Sequence, residues 1–221
     1  MILFDIDGTL ISPGGAGTRS LDMAFHELLG IRNAFRDIPM AGKTDIQIIK
    51  EGLGAHGISN PDGKVEKIRD LYLDYLGREI DNPRKSLKPG IKEILDLLRE
   101  MKMPVGLLTG NLETGARIKL DSFGLNEYFL DGAFGSDDED RDRLLPIALK
   151  KFAAKGFAFT AGECIIVGDT PRDVKCAKIH GARCVAVASG PYPKEDLLRT
   201  DADMVFDSLE DISAFMDFLG Y

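Results

Sequence analysis

From residue 90 to the C-terminus, short apolar runs alternate with amphipathic stretches. The runs PVGLLTG, FLDGAFGS, ECIIVGD and RCVAVASG are strand-like, and MVFDSL is a weaker example. Between them lie segments with helical periodicity, such as IKEILDLLREM, ETGARIKLDSF, LLPIALKKFAAKG and RDVKCAKIHG, and LEDISAFMDFLG closes the chain. The opening run MILFDI adds a strand at the N-terminus. Strands alternating with helices of this length predict a parallel sheet covered on both faces, a three-layer α/β/α fold.

A different pattern occupies residues 18 to about 82, which we predict to be entirely helical. SLDMAFHELLG, TDIQIIKEGL and VEKIRDLYLDYLGREI all have apolar residues at helical spacing. The Gly-rich SPGGAG precedes this segment, and DNPRKSLKPG follows it. We therefore predict an α/β core formed by residues 1–14 and 85–221, with an all-helical cap domain, residues 15–84, inserted into it.

Composition narrows the class of protein. The 221 residues carry a net charge of -8 and are 44% hydrophobic, so a sizeable core is expected and nucleic acid or an anionic membrane is an unfavourable partner. The sequence shows neither an apolar run of spanning length nor a leader pattern. Cys164, Cys176 and Cys184 lack metal-site spacing and are expected to be reduced thiols. We expect a cytoplasmic protein, and the pattern leaves monomer and dimer open.

Polar residues follow the apolar runs directly. In an open parallel sheet, ligands bind beyond the carboxyl ends of the strands, so these residues are the candidate site. Carboxylates that meet at this edge need a cation. The alternative for the opening segment is an ordinary polar turn closed by Gly8 and Thr9. The candidates are Asp5 and Asp7, then Thr109, Gly110 and Asn111, and finally Gly168, Asp169, Thr170, Arg172 and Asp173.

The segments DIDGT, LLTGN and GDTPRD, in this order and each at the end of an apolar run, resemble the haloacid dehalogenase (HAD) superfamily. The chain is most similar to its phosphatase branch with a small helical cap, which includes phosphoglycolate phosphatases and β-phosphoglucomutases. The resemblance implies a Rossmann-like core, Mg²⁺ as cofactor and a small phosphorylated metabolite as substrate.

The resemblance also implies roles for individual residues. Asp5 matches the nucleophile that becomes an aspartyl phosphate, and Asp7 matches the general acid and base. Gly8 and Thr9 form the turn whose backbone N–H groups face phosphate oxygens, and Thr109 matches the hydroxyl donor to phosphate. Gly110 and Asn111 lie beside it as further substrate-binding residues.

For the metal, the resemblance implies direct ligation by Asp5 and Asp169. Asp7 would contribute its backbone carbonyl, and Asp173 would act mainly through water. Helix capping is the competing interpretation for Asp169 or Thr170, as it is for Thr109.

The third motif departs from the family pattern, which usually has a lysine there. The stretch SDDEDRDRLLP contains Arg141 and Arg143 instead. We favour Arg141 of the two. An arginine at either position would still neutralise phosphate and Asp5, and its planar fork could contact two oxygens at once. The competing interpretation is a solvated run of charges. In the cap, Lys43 at a predicted helix start is a candidate for substrate contact, although a solvated helix end is equally compatible.

The function that this pattern favours is a Mg²⁺-dependent phosphatase of a small phosphomonoester. A phosphomutase that returns the phosphoryl group to a sugar phosphate would use the same aspartates. A catalytically weakened regulatory protein is the third alternative, raised by the missing lysine.

Overall fold

The computed structural model describes residues 1–59 and 63–221. Within this part of the chain, every helix is too short or too polar to cross a lipid bilayer. Strands β1 (Ile2–Phe4), β4 (Val105–Thr109), β5 (Gly132–Phe134), β6 (Ile165–Gly168), β7 (Arg183–Val187) and β8 (Met204–Phe206) form one sheet. All of its pairings are parallel, in the order β5-β4-β1-β6-β7-β8. The predicted fold class is therefore confirmed.

Helices cover both faces of this sheet because successive side chains of a strand point to opposite sides. In β1, Ile2 and Phe4 enter one core and Leu3 enters the other. The first core lies under α4 (Ile91–Glu100), α5 (Glu113–Asp121) and α9 (Ile212–Leu219). The second lies under α6 (Leu144–Ala154), α7 (Pro171–Lys178) and the short α8 (Lys194–Leu197). Both faces of the strand are apolar for this reason.

Three helices form a separate apolar cluster above the carboxyl edge of the sheet. They are α1 (Ala16–Leu29), α2 (Asp45–Ala55) and α3 (Lys64–Glu79). Their buried side chains pack on one another, with Phe25 and Phe35 edge-to-face at 4.6 Å between ring centroids. The cluster takes in one buried core residue, Leu112. The domain boundaries at 14/15 and 84/85 remain a prediction.

The prediction that residues 18–82 are entirely helical was wrong for residues 30–44, 56–59 and 80–82, which form turns and irregular backbone. Gly30 ends α1 in a left-handed conformation, and Asn33 also has a positive φ of 51°; neither conformation continues a helix. Residues 60–62 of that segment lie outside the described residues. The two predicted linkers also differ from expectation, since β2 (Ile11–Ser12) and β3 (Ser86–Leu87) pair as an antiparallel ribbon.

Candidate active site

Strand order brings the candidate residues together. Strand β1 lies between β4 and β6, with Phe4 opposite Leu107 on one side and Val167 on the other. The backbone N–H of Asp5 donates to the carbonyl of Val167 at 2.9 Å. Because the three strands are parallel neighbours, their carboxyl ends lie at the same edge, and Asp5, Thr109 and Asp169 emerge there.

Three buried carboxylates meet at this edge. Asp5, Asp169 and Asp173 each offer an oxygen, and these oxygens lie within 4.8 Å of one another. Burial raises the pKa of Asp169 well above its ordinary value, and the charges of Asp5 and Asp173 raise it further. The hydroxyl of Thr9 donates to Asp169 Oδ1 at 3.0 Å and opposes this effect. Like charges this close need a compensating cation.

Asp173 both caps a helix and pairs with an arginine. It lies in the first turn of α7, whose N-cap is Thr170, and its Oδ2 accepts hydrogen bonds from the Thr170 backbone N–H (3.0 Å) and hydroxyl (2.7 Å). Its Oδ1 accepts from Arg141. Both oxygens of Asp173 therefore have protein partners. Asp169 lies just before the N-cap and does not cap the helix.

Arg141 brings a guanidinium to this cluster. Its Nη2 lies 3.2 Å from Asp5 Oδ1 and also pairs with Asp173, and only 5% of the residue is exposed. Burial lowers the pKa of Arg141, but the carboxylates of Asp173 and Asp5 outweigh it and leave the pKa above its usual value. The side chain of Arg143 is 70% exposed and lies 3.6 Å from Asp138. Arg141 is thus the arginine that the structure places beside Asp5, and Arg143 belongs to the solvated run of charges.

The net charge of this cluster suits a divalent cation. Three carboxylates and one guanidinium leave two formal negative charges in a buried place. Burial, opposed by Arg141 and reinforced by Asp173 and Asp7, raises the pKa of Asp5 to about 6. The backbone also makes room, because a Cβ on Gly8 would lie 2.2 Å from Asp169 Oδ2 and one on Gly190 would lie 1.6 Å from it. Carboxylate oxygens on an open cradle are ligands that Mg²⁺ accepts.

Asp7 has its own set of partners. Its Oδ2 accepts from Lys119 Nζ and from Asn111 Nδ2, each at 2.7 Å. Lys119 is only 3% exposed. Burial lowers the pKa of Lys119, but Asp7 and Asp45 outweigh it and raise the pKa, so the ammonium is charged. The repulsion between Asp5 and Asp7 is therefore met by two different cations, Arg141 and Lys119.

Thr109 closes the site from β4. A hydrogen bond from its hydroxyl helps to lower the pKa of Asp5 against burial, and Asn111 Nδ2 donates to its Oγ1 at 2.8 Å. The N-cap of α5 is Leu112, without a side-chain cap, so the capping interpretation of Thr109 was wrong.

The helical cap touches the core directly above this edge. The backbone N–H of Asp45 donates to the carbonyl of Gly110 at 2.8 Å, and Leu112 N–H donates to Asp45 Oδ2 at 2.9 Å. A Cβ on Gly110 would lie 2.1 Å from the carbonyl oxygen of Lys43. Position 110 therefore has to be glycine for the cap to approach this closely.

A cavity of about 260 Å³ lies between cap and core. Its floor includes Asp5 and Asp169, and its upper wall includes Lys43, Leu21 and Ile48. The Lys43 side chain is 12% exposed and pairs with Glu51, so it is not a solvated helix end. Four of the residues predicted to bind substrate line this cavity, namely Gly8, Gly110, Asn111 and Lys43. The fifth, Thr9, is buried behind Asp169.

Lys119 and Tyr72 line the same cavity and were missed by the sequence analysis, and Asp45, at the predicted helix start beside Lys43, lines it as well. Burial raises the pKa of Asp45 to about 6, opposed by Lys119 and by the Leu112 N–H. One signal was available for Lys119. It lies four residues after Gly115 and three after Ala116, on the buried face of α5, where a lysine is unusual.

The fold and the site together define an α/β enzyme with a buried carboxylate centre beneath a helical cap. The family model of haloacid dehalogenase-like hydrolases matches residues 1–181, and the chain belongs to this family. The predictions of the family and of a HAD-like hydrolase are thereby confirmed.

Several proteins are similar over nearly the whole chain. The phosphoglycolate phosphatase of Yersinia pestis is 24% identical over 220 residues, covering 96% of this chain and 90% of that protein. The phosphoglycolate phosphatase of Nitrosococcus oceani is 28% identical, with 96% and 94% covered. A hydrolase from Pseudomonas syringae superposes with a TM-score of 0.77 at 22% identity, covering 99% of this chain and 98% of that one. This structural likeness supports the fold.

Proposed function

We propose that the protein is a Mg²⁺-dependent phosphatase that hydrolyses a small phosphomonoester through an aspartyl phosphate on Asp5. The observation that supports this most directly is the position of Asp5. Its Oδ1 lies 3.2 Å from Arg141, its carboxylate lies within 4.8 Å of those of Asp169 and Asp173, and it lines the cavity under the cap. A carboxylate that attacks a phosphate dianion is repelled by it, so positive charge is needed close to both groups. Arg141 and a cation held by the carboxylates would supply that charge.

Asp5 and Asp169 would hold the metal directly, since Asp173 already has protein partners on both oxygens. Asp173 would act through water, and Asp7 would contribute its backbone carbonyl. When bound, Mg²⁺ supplies positive charge to the phosphate oxygens. The residues of the chain do the rest of the chemistry.

The first step transfers the phosphoryl group to the protein. A carboxylate oxygen of Asp5 forms a bond to phosphorus while the bond from phosphorus to the ester oxygen breaks. Asp7 gives a proton to that oxygen, and the alcohol leaves. Arg141 and the hydroxyl of Thr109 stabilise the charge on the other phosphate oxygens.

The second step regenerates the enzyme. Water attacks phosphorus and gives a proton to Asp7, and the bond between phosphorus and Asp5 breaks to release inorganic phosphate. Asp7 is thereby again protonated for the next substrate.

The size of the cavity favours a small substrate. At about 260 Å³ it lies below the range of pockets for drug-sized ligands. Lys43 in the upper wall is our candidate for contact with the leaving group. Phosphoglycolate is a suitable first candidate substrate, because curated relatives carry that activity in their names.

A screen of phosphorylated metabolites with Mg²⁺, measuring inorganic phosphate, tests this function. Asp5→Asn should abolish phosphate release while the melting temperature is retained or raised, because the mutation removes a buried like charge. Asp217→Asn, at an exposed position on α9, is the matched control. Phosphate release by Asp5→Asn at the wild-type rate would refute the mechanism, and isomerised sugar phosphate without free phosphate would indicate a mutase.

A further inference from the structure

Lys119 is a buried lysine to which the two-step mechanism gives no role. Within residues 1–59 and 63–221, the buried cations are Lys119 and Arg141. Arg141 pairs with Asp5, and Lys119 pairs with Asp7. Each of the two strand-end aspartates therefore has a buried cation of its own.

The contacts of Lys119 and Asn111 converge on one carboxyl oxygen of Asp7, while its other oxygen, Oδ1, has no hydrogen-bond partner among the described residues. Lys119 Nζ donates to Asp7 Oδ2 at 2.7 Å and to Asn111 Oδ1 at 2.5 Å. Asn111 Nδ2 donates to the same Asp7 oxygen at 2.7 Å and to Thr109 Oγ1 at 2.8 Å. Lys119 and Asn111 thus hold one oxygen of Asp7 from two directions and fix the plane of its carboxyl group.

Burying this ion pair costs folding free energy, which is hard to explain if the pair serves the fold alone. Removing an ammonium and its carboxylate from water is expensive, and replacing both members of a buried ion pair by well-packed apolar side chains is often neutral or stabilising. The side chain of Asp7 is still 35% exposed and lines the cavity. A fixed carboxyl group that faces a substrate has a use for such a partner, since a proton donor works only when it is correctly oriented.

We propose that Lys119 is a positioning residue for Asp7 in the leaving-group step. The inference rests on the proposed function. As the bond from phosphorus to the ester oxygen breaks, the proton moves from Asp7 to that oxygen. Without Lys119 the carboxyl group of Asp7 rotates, and this transfer slows. An ester whose leaving oxygen is stable as an anion needs little proton transfer and is affected less.

Lys119→Met tests this with two esters, p-nitrophenyl phosphate and glycerol phosphate. Single-turnover release of the phenol or alcohol isolates the first step from hydrolysis of the phosphoenzyme. We expect the maximal rate with glycerol phosphate to fall on the order of 100-fold, and the rate with p-nitrophenyl phosphate to fall less than about tenfold. Lys92→Met is the control, because Lys92 pairs with Asp96 and Tyr128, and these residues do not line the cavity.

Asn111→Ala removes the second donor and should show the same selective loss, which keeps the test open if Lys119→Met does not fold. Equal losses with both esters would overturn the inference and make Lys119 a structural residue. A higher half-saturating substrate concentration with an unchanged maximal rate would also overturn the inference, since Lys119 would then act in substrate binding and not in proton transfer. Wild-type enzyme that releases phosphate from neither of these esters nor any member of the metabolite screen would instead refute the proposed function on which the inference rests.

Discussion

Replacing Arg141 by alanine should damage both activity and stability. The guanidinium lies 3.2 Å from Asp5 Oδ1, bonds Asp173 and is 5% exposed. Its loss leaves two carboxylates buried without their cation. Breaking a buried pair in this way typically costs about 3–5 kcal/mol of unfolding free energy. Loss of one charged donor to the reacting phosphate typically costs a factor of about 10²–10³ in kcat.

Bound Mg²⁺ should mask part of the stability loss, because it supplies positive charge to the same carboxylates. Urea unfolding of Arg141→Ala and wild type should therefore differ more in EDTA than in Mg²⁺. Phosphate release in saturating Mg²⁺ measures the effect on kcat. The two assays separate the role of Arg141 in folding from its role toward phosphate.

Arg143→Ala is the matched control, two residues away. Its side chain is 70% exposed, and its nearest carboxylates, of Asp138 and Asp140, lie 3.6 and 3.8 Å away. A surface substitution of this kind should change unfolding free energy by less than about 0.5 kcal/mol and leave kcat unchanged. If Arg141→Ala keeps wild-type activity, or if Arg143→Ala loses as much, the assignment of the phosphate-neutralising charge to Arg141 is refuted.

Other consequences of the site can be measured separately. Mg²⁺ at about 100 times its Kd should raise the unfolding free energy by about 2.7 kcal/mol, and the absence of any shift in melting temperature would contradict a metal site. Gly190→Ala should raise the Mg²⁺ concentration for half-maximal activity, because its Cβ would lie 1.6 Å from Asp169 Oδ2; an unchanged Mg²⁺ titration would argue against Asp169 as a ligand. Gly110→Ala should cost about 1–3 kcal/mol and lower kcat/KM, because its Cβ would lie 2.1 Å from the Lys43 carbonyl, and wild-type kinetics would show that the cap does not need this approach. Burial raises the pKa of Asp45 to about 6, above its value in the unfolded chain. The protonated form of Asp45 therefore stabilises the folded state near pH 4, and this stability is fully lost once the pH rises above 6. Asp45→Asn should therefore stabilise the protein more at pH 7.5 than at pH 5 in urea titrations, and an equal gain at both would refute that origin.

The alternation of apolar runs and helical segments predicted the strands and helices of the sheet, because buried parallel strands are apolar on both faces. The same run ends located Asp5, Thr109 and Asp169 at one edge. The prediction of helix failed for residues 30–44. Apolar residues such as Phe35 and Ile38 have helical spacing in the sequence, but they pack onto the cap helices from irregular backbone.

What the sequence determined by itself is the set of strand-end groups and the family they indicate, because local periodicity and motif order carry both. Tertiary structure decided which charges meet. Arg141 and Arg143 are neighbours of identical chemistry, yet the turn before α6 buries the first and exposes the second. Lys119 reaches Asp7 from 112 residues away, and only the packing of α5 on the sheet brings them together. Pairing between buried charges depends on contacts distant in sequence, and local patterns do not encode it.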